Sequence, residues 1–284
     1  MHLGGNIKLL FVYDLLPEHD LFWRDGLWAA LKELEKEWEV TYLNIAKEED
    51  WEKKWWDLEG KNDFVLGWGG TGSPHFLKVW ANGIGGKGGW CFGGGNINEE
   101  RLEKFPVVFV ENESQLIKPN FRHAFGTNTD LFKTLQQPII IDALYPAAFA
   151  YWKHQEQFAV ICEQENLKGL AVGYIQRNNP QESYELVSAC VAREVAVMDW
   201  VPAESLVWLY NASKEVIITA DASGGSERAV LEAKACGVPV RVVSDSEKLH
   251  VLNKLSTEEV RTEWNHIKYA SKLKEGIREV LSHR

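Results

Sequence analysis

The 284-residue sequence predicts an α/β chain built from two Rossmann-like domains, each a parallel sheet covered by helices. Three observations carry this. Short apolar runs alternate with amphipathic stretches along the whole chain. The second half repeats the alternation of the first. A pair of glycines, Gly224 and Gly225, stands directly between an apolar run and a helical stretch.

In chain order, residues 7–13 read as the first strand, and Asp25 as the N-cap of a helix over 26–37 with Leu27, Ala30, Leu31 and Leu34 on one face. Val40–Ile45, Asp63–Leu66 and Pro106–Val110 read as further strands, the second of them running into Gly67–Gly72. The glycine-rich segment Asn82–Gly95 holds a short strand at Trp90–Phe92, and its glycines read as turn punctuation. Turn chemistry over Thr127–Gln137 marks the link between domains, expected at 1–130 and 131–265. In the second half, strands are expected at Pro138–Ile141, Leu170–Tyr174, Val195–Met198, Val216–Thr219 and Val238–Val243. Helices are expected near 151–165, 180–191, 203–213 and 226–236. A last charged helix near 256–281 starts at Ser256, a cap followed by acidic first-turn residues. Its 266–284 part is expected to pack back across a central cleft.

A hydrophobic fraction of 45% with 25% charged residues fits a globular protein with a sizeable core. The net charge of −10 argues against a general polyanion binder, because long-range attraction to a phosphate backbone would be weak. The four cysteines lie far apart with no CxxC spacing, so they read as reduced thiols of a cytoplasmic protein and not as a zinc or disulfide framework. The first apolar run is too short for a signal peptide, and no stretch approaches the ~20 residues of a membrane span. Of the 13 Trp, those in polar company (Trp23, Trp51, Trp55, Trp56) suggest a surface or a helix face that is packed or meets a partner.

The segment from Ala222 to Val240 carries the sharpest chemical signal. Gly224 and Gly225 let the backbone approach a ligand closely. The free amides of the helix opening near Ser226 favour an anion, and a diphosphate is the natural one. Two turns on, Glu232 can accept hydrogen bonds from vicinal hydroxyls such as those of a ribose.

This segment resembles the donor-binding motif of retaining GT-B glycosyltransferases, family 4 in particular. The family's helix reads Leu-Glu-Ala-Met-Ala-x-Gly-x-Pro-Val, and Leu231–Val240 is similar to it throughout. Two further stretches resemble the family in order and spacing: Ala124–Lys133 at the domain crossover, and Tyr145–Lys153 where the family places Gly-Arg-x-x-x-x-Lys-Gly. Leu170–Gly173 and Trp200–Pro202 match a later strand and the loop near the nucleotide base. The resemblance covers about 120–284, and a small member of phage or mobile-element type comes to mind. Two positions depart from it. The first Glu of the family's carboxylate pair falls at Gly224, leaving Asp221 or Glu227 to replace it, and the diphosphate arginine falls at Ala148.

The resemblance implies a GT-B fold and transfer of a sugar from a nucleoside diphosphate sugar, UDP-linked in preference to GDP-linked, with retention. Glu232 would bind the ribose, Gly224, Gly225, Ser226 and Glu227 the phosphates or sugar, and Lys153 the diphosphate. Tyr174 and Val201 would lie near the base. Charge develops on the leaving phosphate, so a lysine and helix-end amides stabilise the transition state more than the ground state, and no metal is strictly required. No prosthetic group is implied. In the first half, the acceptor side falls on loops after the strands, with Trp68, Gly69 and Gly70 as candidates, Asp14 and Glu111 as catalytic candidates beside Lys153, and Glu113 less well placed. The acceptor is open between a small molecule, a glycan and a modified DNA base. A catalytically inactive binding module is the reading from another class. An NAD-type oxidoreductase is weaker, since no GxGxxG follows the first strand.

Overall fold

The structure is a computed structural model. It describes residues 7–13, 26–69, 88–92, 99–111, 113–176 and 179–283. The expected cap Asp25, the candidates Asp14 and Gly70, and Trp23 lie outside these. The chain divides into two compact units, Met1–Gly126 with His266–Arg284, and Thr127–Asn265.

Among the described residues, the first unit holds six parallel strands: β1 (Lys8–Tyr13), β2 (Glu39–Asn44), β3 (Phe64–Gly69), β4 (Gly88–Phe92), β5 (Val107–Val110) and β6 (Phe121–His123). Their spatial order is β2-β1-β3-β4-β5-β6. Helices α1 (Gly26–Leu34), α2 (Trp51–Glu59) and α3 (Glu99–Leu102) precede the crossing to the second unit. Strands of a parallel sheet are covered on both faces, so they read as unbroken apolar runs. Leu9, Leu10, Phe11 and Val12 are accordingly all buried, as are all four residues of β5.

Helix α2 bears out the packed helix face expected for the tryptophans of 51–56. Trp51 and Trp55 are buried in the core cluster with Leu10, Val65, Trp90 and Val108, and only Trp56 of the three is exposed. Polar neighbours in sequence did not mark a surface, because a helix turns every 3.6 residues and sends Trp51 and Trp55 to the same face. Strand β6 is unexpected. Its Phe121, Arg122 and His123 offer only one apolar residue, so the register against β5 and not the pattern defines it.

The second unit holds β7 (Ile141–Pro146), β8 (Gly169–Val172), β9 (Ala196–Met198), β10 (Ser213–Ile218) and β11 (Val240–Val242), all parallel, in the order β11-β10-β7-β8-β9. Its helices are α4 (Gln155–Glu165), α5 (Pro180–Val191), α6 (Ala203–Asn211), α7 (Glu227–Cys236), α8 (Glu247–Asn253) and α9 (Thr257–Glu263). The strand expected at 138–141 begins where that run ends. Ile139 and Ile140 are more than half exposed, and the paired residues start at Ile141, opposite Ser213 of β10. An apolar run alone does not fix a strand; the amide and carbonyl ladder to β8 and β10 does.

The expected single helix over 256–281 is two. Ser256 caps α9 through a capping box, its Oγ accepting from Glu259 N–H while Glu259 Oε2 accepts from Ser256 N–H. The helix stops at Trp264, whose carbonyl accepts from Thr127 N–H at 2.8 Å, and Thr127 pairs with Asn265 in an isolated bridge. The chain then re-enters the first unit as α10 (His266–Ser282). This helix lies on α1 and β5 through Gly276 against Phe109, Tyr269 against Phe125, and Lys274 paired with Glu37 at 2.6 Å. Among the described residues, no helix is long and apolar enough to cross a membrane. All four cysteines are buried, and none is in a disulfide.

Two expected outcomes follow from the first unit. A methyl group at Gly276 would stand 2.7 Å from the buried Phe109 ring. Alanine is the better helix former by about 1 kcal/mol, but overpacking costs about 1–3 kcal/mol, so Gly276→Ala is expected to destabilise slightly. A urea midpoint that rises would show that Phe109 yields freely. His123, half-buried at the end of β6, has Nε2 3.2 Å from the Glu111 carbonyl and Nδ1 3.2 Å from Lys272 Nζ. Burial, then the Lys272 charge, depress it from 6.5 to about 4. The native state therefore binds fewer protons than the unfolded chain between those values. Stability from this group is complete above pH 6.5 and is lost as pH falls toward 4, by at most about 3 kcal/mol. Urea midpoints across that window should fall for the natural protein and flatten for His123→Gln.

Candidate functional site

In open parallel sheets ligands bind beyond the carboxyl ends of strands, where the strand order reverses. In the second unit that place lies between β7 and β10, which are neighbours in the sheet though far apart in sequence. Two loops meet there, 147–154 after β7 and 219–226 after β10.

The first loop is held rigidly by buried polar groups. Gln155 Nε2 donates to the Ala148 carbonyl, and Ser183 Oγ donates to that of Phe149 at 2.6 Å. Phe149 N–H donates to the Tyr174 carbonyl at 3.1 Å. Residues Tyr151–Lys153 then form one 3-10 turn. The expected helix over 151–165 is broken at His154, which takes a left-handed conformation at φ 53°. The Lys153 carbonyl, exposed by that break, accepts from Tyr145 Oη at 2.6 Å and from Thr219 Oγ1 at 2.9 Å. Thr219 also reaches the His154 carbonyl. Tyr145 is fully buried, and burial pushes its hydroxyl well above the usual tyrosine range, so it remains a donor.

The second loop fits onto the first at Gly224. Asp221 N–H donates to the Trp152 carbonyl at 3.1 Å, and a Cβ at Gly224 would lie 2.3 Å from that same oxygen. No side chain fits there, so the carboxylate absent from position 224 has no room at it. Gly225 and Ser226 follow at φ 68° and 87°, turning the backbone into α7. Serine in that region is uncommon, and here its hydroxyl accepts from Lys153 Nζ at 2.9 Å. A Cβ at Gly225 would stand 3.3 Å from Glu227 Oε2 and 3.6 Å from Lys153 Nζ. Lys153, Gly224, Gly225, Ser226 and Glu227 thus form one cluster at the mouth of α7. The arrangement presents an ammonium beside the opening amides of a ten-residue helix, a geometry that receives anions.

The carboxylates around this cluster are engaged. Glu227 is almost wholly buried and pairs with Lys248 of α8 at 2.6 Å. Asp221 Oδ1 accepts from Ser223 N–H and Oγ, and its Oδ2 lies 3.5 Å from His154 Nε2. Burial alone would raise Asp221, but Ser223 and His154 outweigh it and hold the carboxyl below its usual range. Burial likewise opposes charge on His154, yet Glu156 at 2.9 Å and Asp221 hold it above its ordinary value.

Glu232 is fully buried, and its Oε2 accepts from Tyr210 Oη of α6 at 2.7 Å. Tyr174 and Val201 are half-buried on the loops after β8 and β9. In the first unit, Trp68 and Gly69 end β3, and Glu111 follows β5 with its amide bonded to Gln115 Oε1 at 3.1 Å. Glu113 is exposed on a 3-10 turn. Tyr145, Thr219, Tyr210 and Lys248 were not singled out by sequence. Each meets its partner across elements distant in the chain, and only the polar residues ending apolar strands, Tyr145 and Thr219, carried any local signal. Among the described residues, no three or more His, Cys, Asp or Glu come together as metal ligands.

Gly224→Ala should lower thermal stability by about 1–3 kcal/mol, because a backbone carbonyl cannot swing aside as a side chain can. Gly60→Ala, with nothing within 4 Å, is the control expected to change little. Equal midpoints for both variants would refute the tight seat at Trp152.

No protein-family model matches the sequence, and no curated protein matches it. Solved structures do. A glycosyltransferase involved in avilamycin A biosynthesis is similar with a TM-score of 0.68 at 17% identity, over 98% of this chain and 99% of that one. Sucrose-phosphate synthase from Thermosynechococcus elongatus gives 0.69 at 14%, over 98% and 100%. HepE from Anabaena, crystallised in complex with UDP, gives 0.58 at 12%, over 98% of each chain. At such identities the likeness speaks for the fold: an α/β chain with two parallel sheets, in the architecture of GT-B glycosyltransferases.

Proposed function

We propose that this protein is a glycosyltransferase that takes a sugar from a nucleoside diphosphate sugar, with UDP favoured over GDP as the nucleotide. The observation that carries the reading is the Lys153 ammonium 2.9 Å from Ser226 Oγ at the mouth of α7. The similarity of the fold to glycosyltransferases, one of them crystallised with UDP, supports it.

In this reading the diphosphate settles against the amides of Ser226 and Glu227 with Lys153 beside it. As the bond from the anomeric carbon to the phosphate oxygen breaks, charge grows on the departing diphosphate. Lys153 and the fixed helix amides meet that charge without reorganising, which lowers the barrier. The protein itself supplies positive charge where a divalent cation would otherwise stand, so transfer is expected to survive chelation. By resemblance, configuration is retained and the departing phosphate takes the acceptor's proton. The acceptor falls to the first unit, beyond β3 and β5, where Trp68, Gly69 and Glu111 stand; Asp14 and Gly70 complete the set assigned by sequence. Tyr174 and Val201 are assigned to the base.

Glu232 is assigned to the ribose, and its enclosure against Tyr210 makes that assignment separable from a purely structural one. Glu232→Leu and Tyr210→Phe should both reduce stability, since each leaves a buried polar group without its partner at a cost of about 1–3 kcal/mol. Only a ribose role also lowers UDP affinity in folded protein.

UDP is expected to raise the thermal midpoint of the natural protein, and Lys153→Ala to abolish most of the gain. A midpoint indifferent to UDP and GDP alike would overturn the reading. Hydrolysis of a UDP-sugar without acceptor would separate a working enzyme from an inactive binding module.

A further inference from the structure

Thr219 Oγ1 stands 2.9 Å from two carbonyls at once, those of Lys153 and His154. A hydroxyl carries one proton and can donate it to only one of them at a time. The second donor is Tyr145, whose Oη lies 2.6 Å from the Lys153 carbonyl and so leaves Thr219 to serve His154. The Tyr145 side chain is fully buried at the end of β7, and its ring packs on Phe158 of α4 with centroids 5.5 Å apart. Its hydroxyl is therefore presented from a fixed point. The Ser226 hydroxyl also bears on that of Tyr145. One buried oxygen thus acts on both sides of the contact between Lys153 and Ser226, on the backbone of the first and the side chain of the second.

We propose that Tyr145 is a positioning residue of the donor site: its hydroxyl gives the Lys153 carbonyl a donor of its own and so sets the point from which the lysine reaches Ser226 and the diphosphate of a nucleotide sugar. The inference rests on the donor site proposed above. The lysine keeps all its side-chain partners in this account; what Tyr145 governs is the backbone that carries them. Without the phenol hydroxyl, the carbonyls of Lys153 and His154 share the single proton of Thr219. One of the two then goes without a donor from the protein, and the turn at His154 can relieve this only by shifting. A displacement of about 1 Å is enough to spoil a fitted contact. A tyrosine closing an apolar strand otherwise reads as ordinary core.

The test is UDP affinity by calorimetry, titrated to millimolar ligand, on protein shown to be folded by circular dichroism. Tyr145→Phe is expected to weaken UDP binding about tenfold, the scale of one hydrogen bond. In a Lys153→Ala background the same change should cost almost nothing, because a residue acting through Lys153 has nothing left to position. A merely structural hydroxyl shows no such coupling. Ser213→Ala is the matched control: it removes a buried hydroxyl bonded to the Leu209 carbonyl at 2.7 Å, at the opposite end of β10, and should leave UDP affinity unchanged. Should Tyr145→Phe not fold, Thr219→Val decides by the same cycle, since it takes the other donor from the same carbonyl. Tyr145→Phe binding UDP as tightly as the natural protein, losses that add to that of Lys153→Ala, or an equal loss in Ser213→Ala would each overturn the proposal and leave the donor site standing. A natural protein that binds neither UDP nor GDP removes the donor-site reading and this proposal with it.

Discussion

The second unit is organised around one oxygen atom, the carbonyl of Lys153. Tyr145 from the end of β7 and Thr219 from the end of β10 both donate to it, so two neighbouring strands grip a single backbone group. Breaking the helix at His154 exposes that carbonyl, and the grip then fixes where the Lys153 side chain starts. One residue earlier, the Trp152 carbonyl takes Asp221 N–H and leaves space for nothing larger than glycine at position 224. The meeting of Lys153 and Ser226 is the sum of these contacts. A lysine side chain loses rotamer freedom on binding an anion, but with the backbone anchored on both sides the loop itself adds little to that cost.

Much of the architecture was legible, because parallel strands must be apolar on both faces and therefore announce themselves. Leu9–Val12 and Val107–Val110 are such runs. The pattern misled where hydrophobicity and hydrogen bonding part company. Ile139 and Ile140 look like strand residues and lie exposed ahead of β7, while Phe121–His123 look like loop and form the edge strand β6. The last helix read as continuous because no proline interrupts it and its one glycine, Gly276, lies well past the break. Its break comes from Thr127, more than 130 residues upstream, taking up the carbonyl of Trp264.

The candidate site divides in the same way. Gly224, Gly225, Ser226 and Glu227 are contiguous, and glycines before a helix state their purpose locally. Lys153 was reached through resemblance, and the structure brings it to Ser226 across 73 positions of sequence. Tyr210 under Glu232 and Lys248 beside Glu227 had no such route. A partner supplied by another helix leaves no spacing to read, and a lysine or tyrosine in a helix has many ordinary reasons to be there. Glu232 shows the reverse: its place in a motif was plain, yet its enclosure against Tyr210 was not.

The two places where the chain crosses between units have a consequence for how the protein is made. The second unit is one continuous stretch, whereas the first is completed only by the last nineteen residues, whose Tyr269 and Gly276 close over Phe125 and Phe109. During synthesis, therefore, the unit begun first must wait, with part of its apolar surface uncovered, until residues 266–284 have emerged. Domains otherwise tend to fold in order of emergence from the ribosome. Here the later half can finish ahead of the earlier one, and nascent chains truncated before α10 would be the form most exposed to chaperones and proteases.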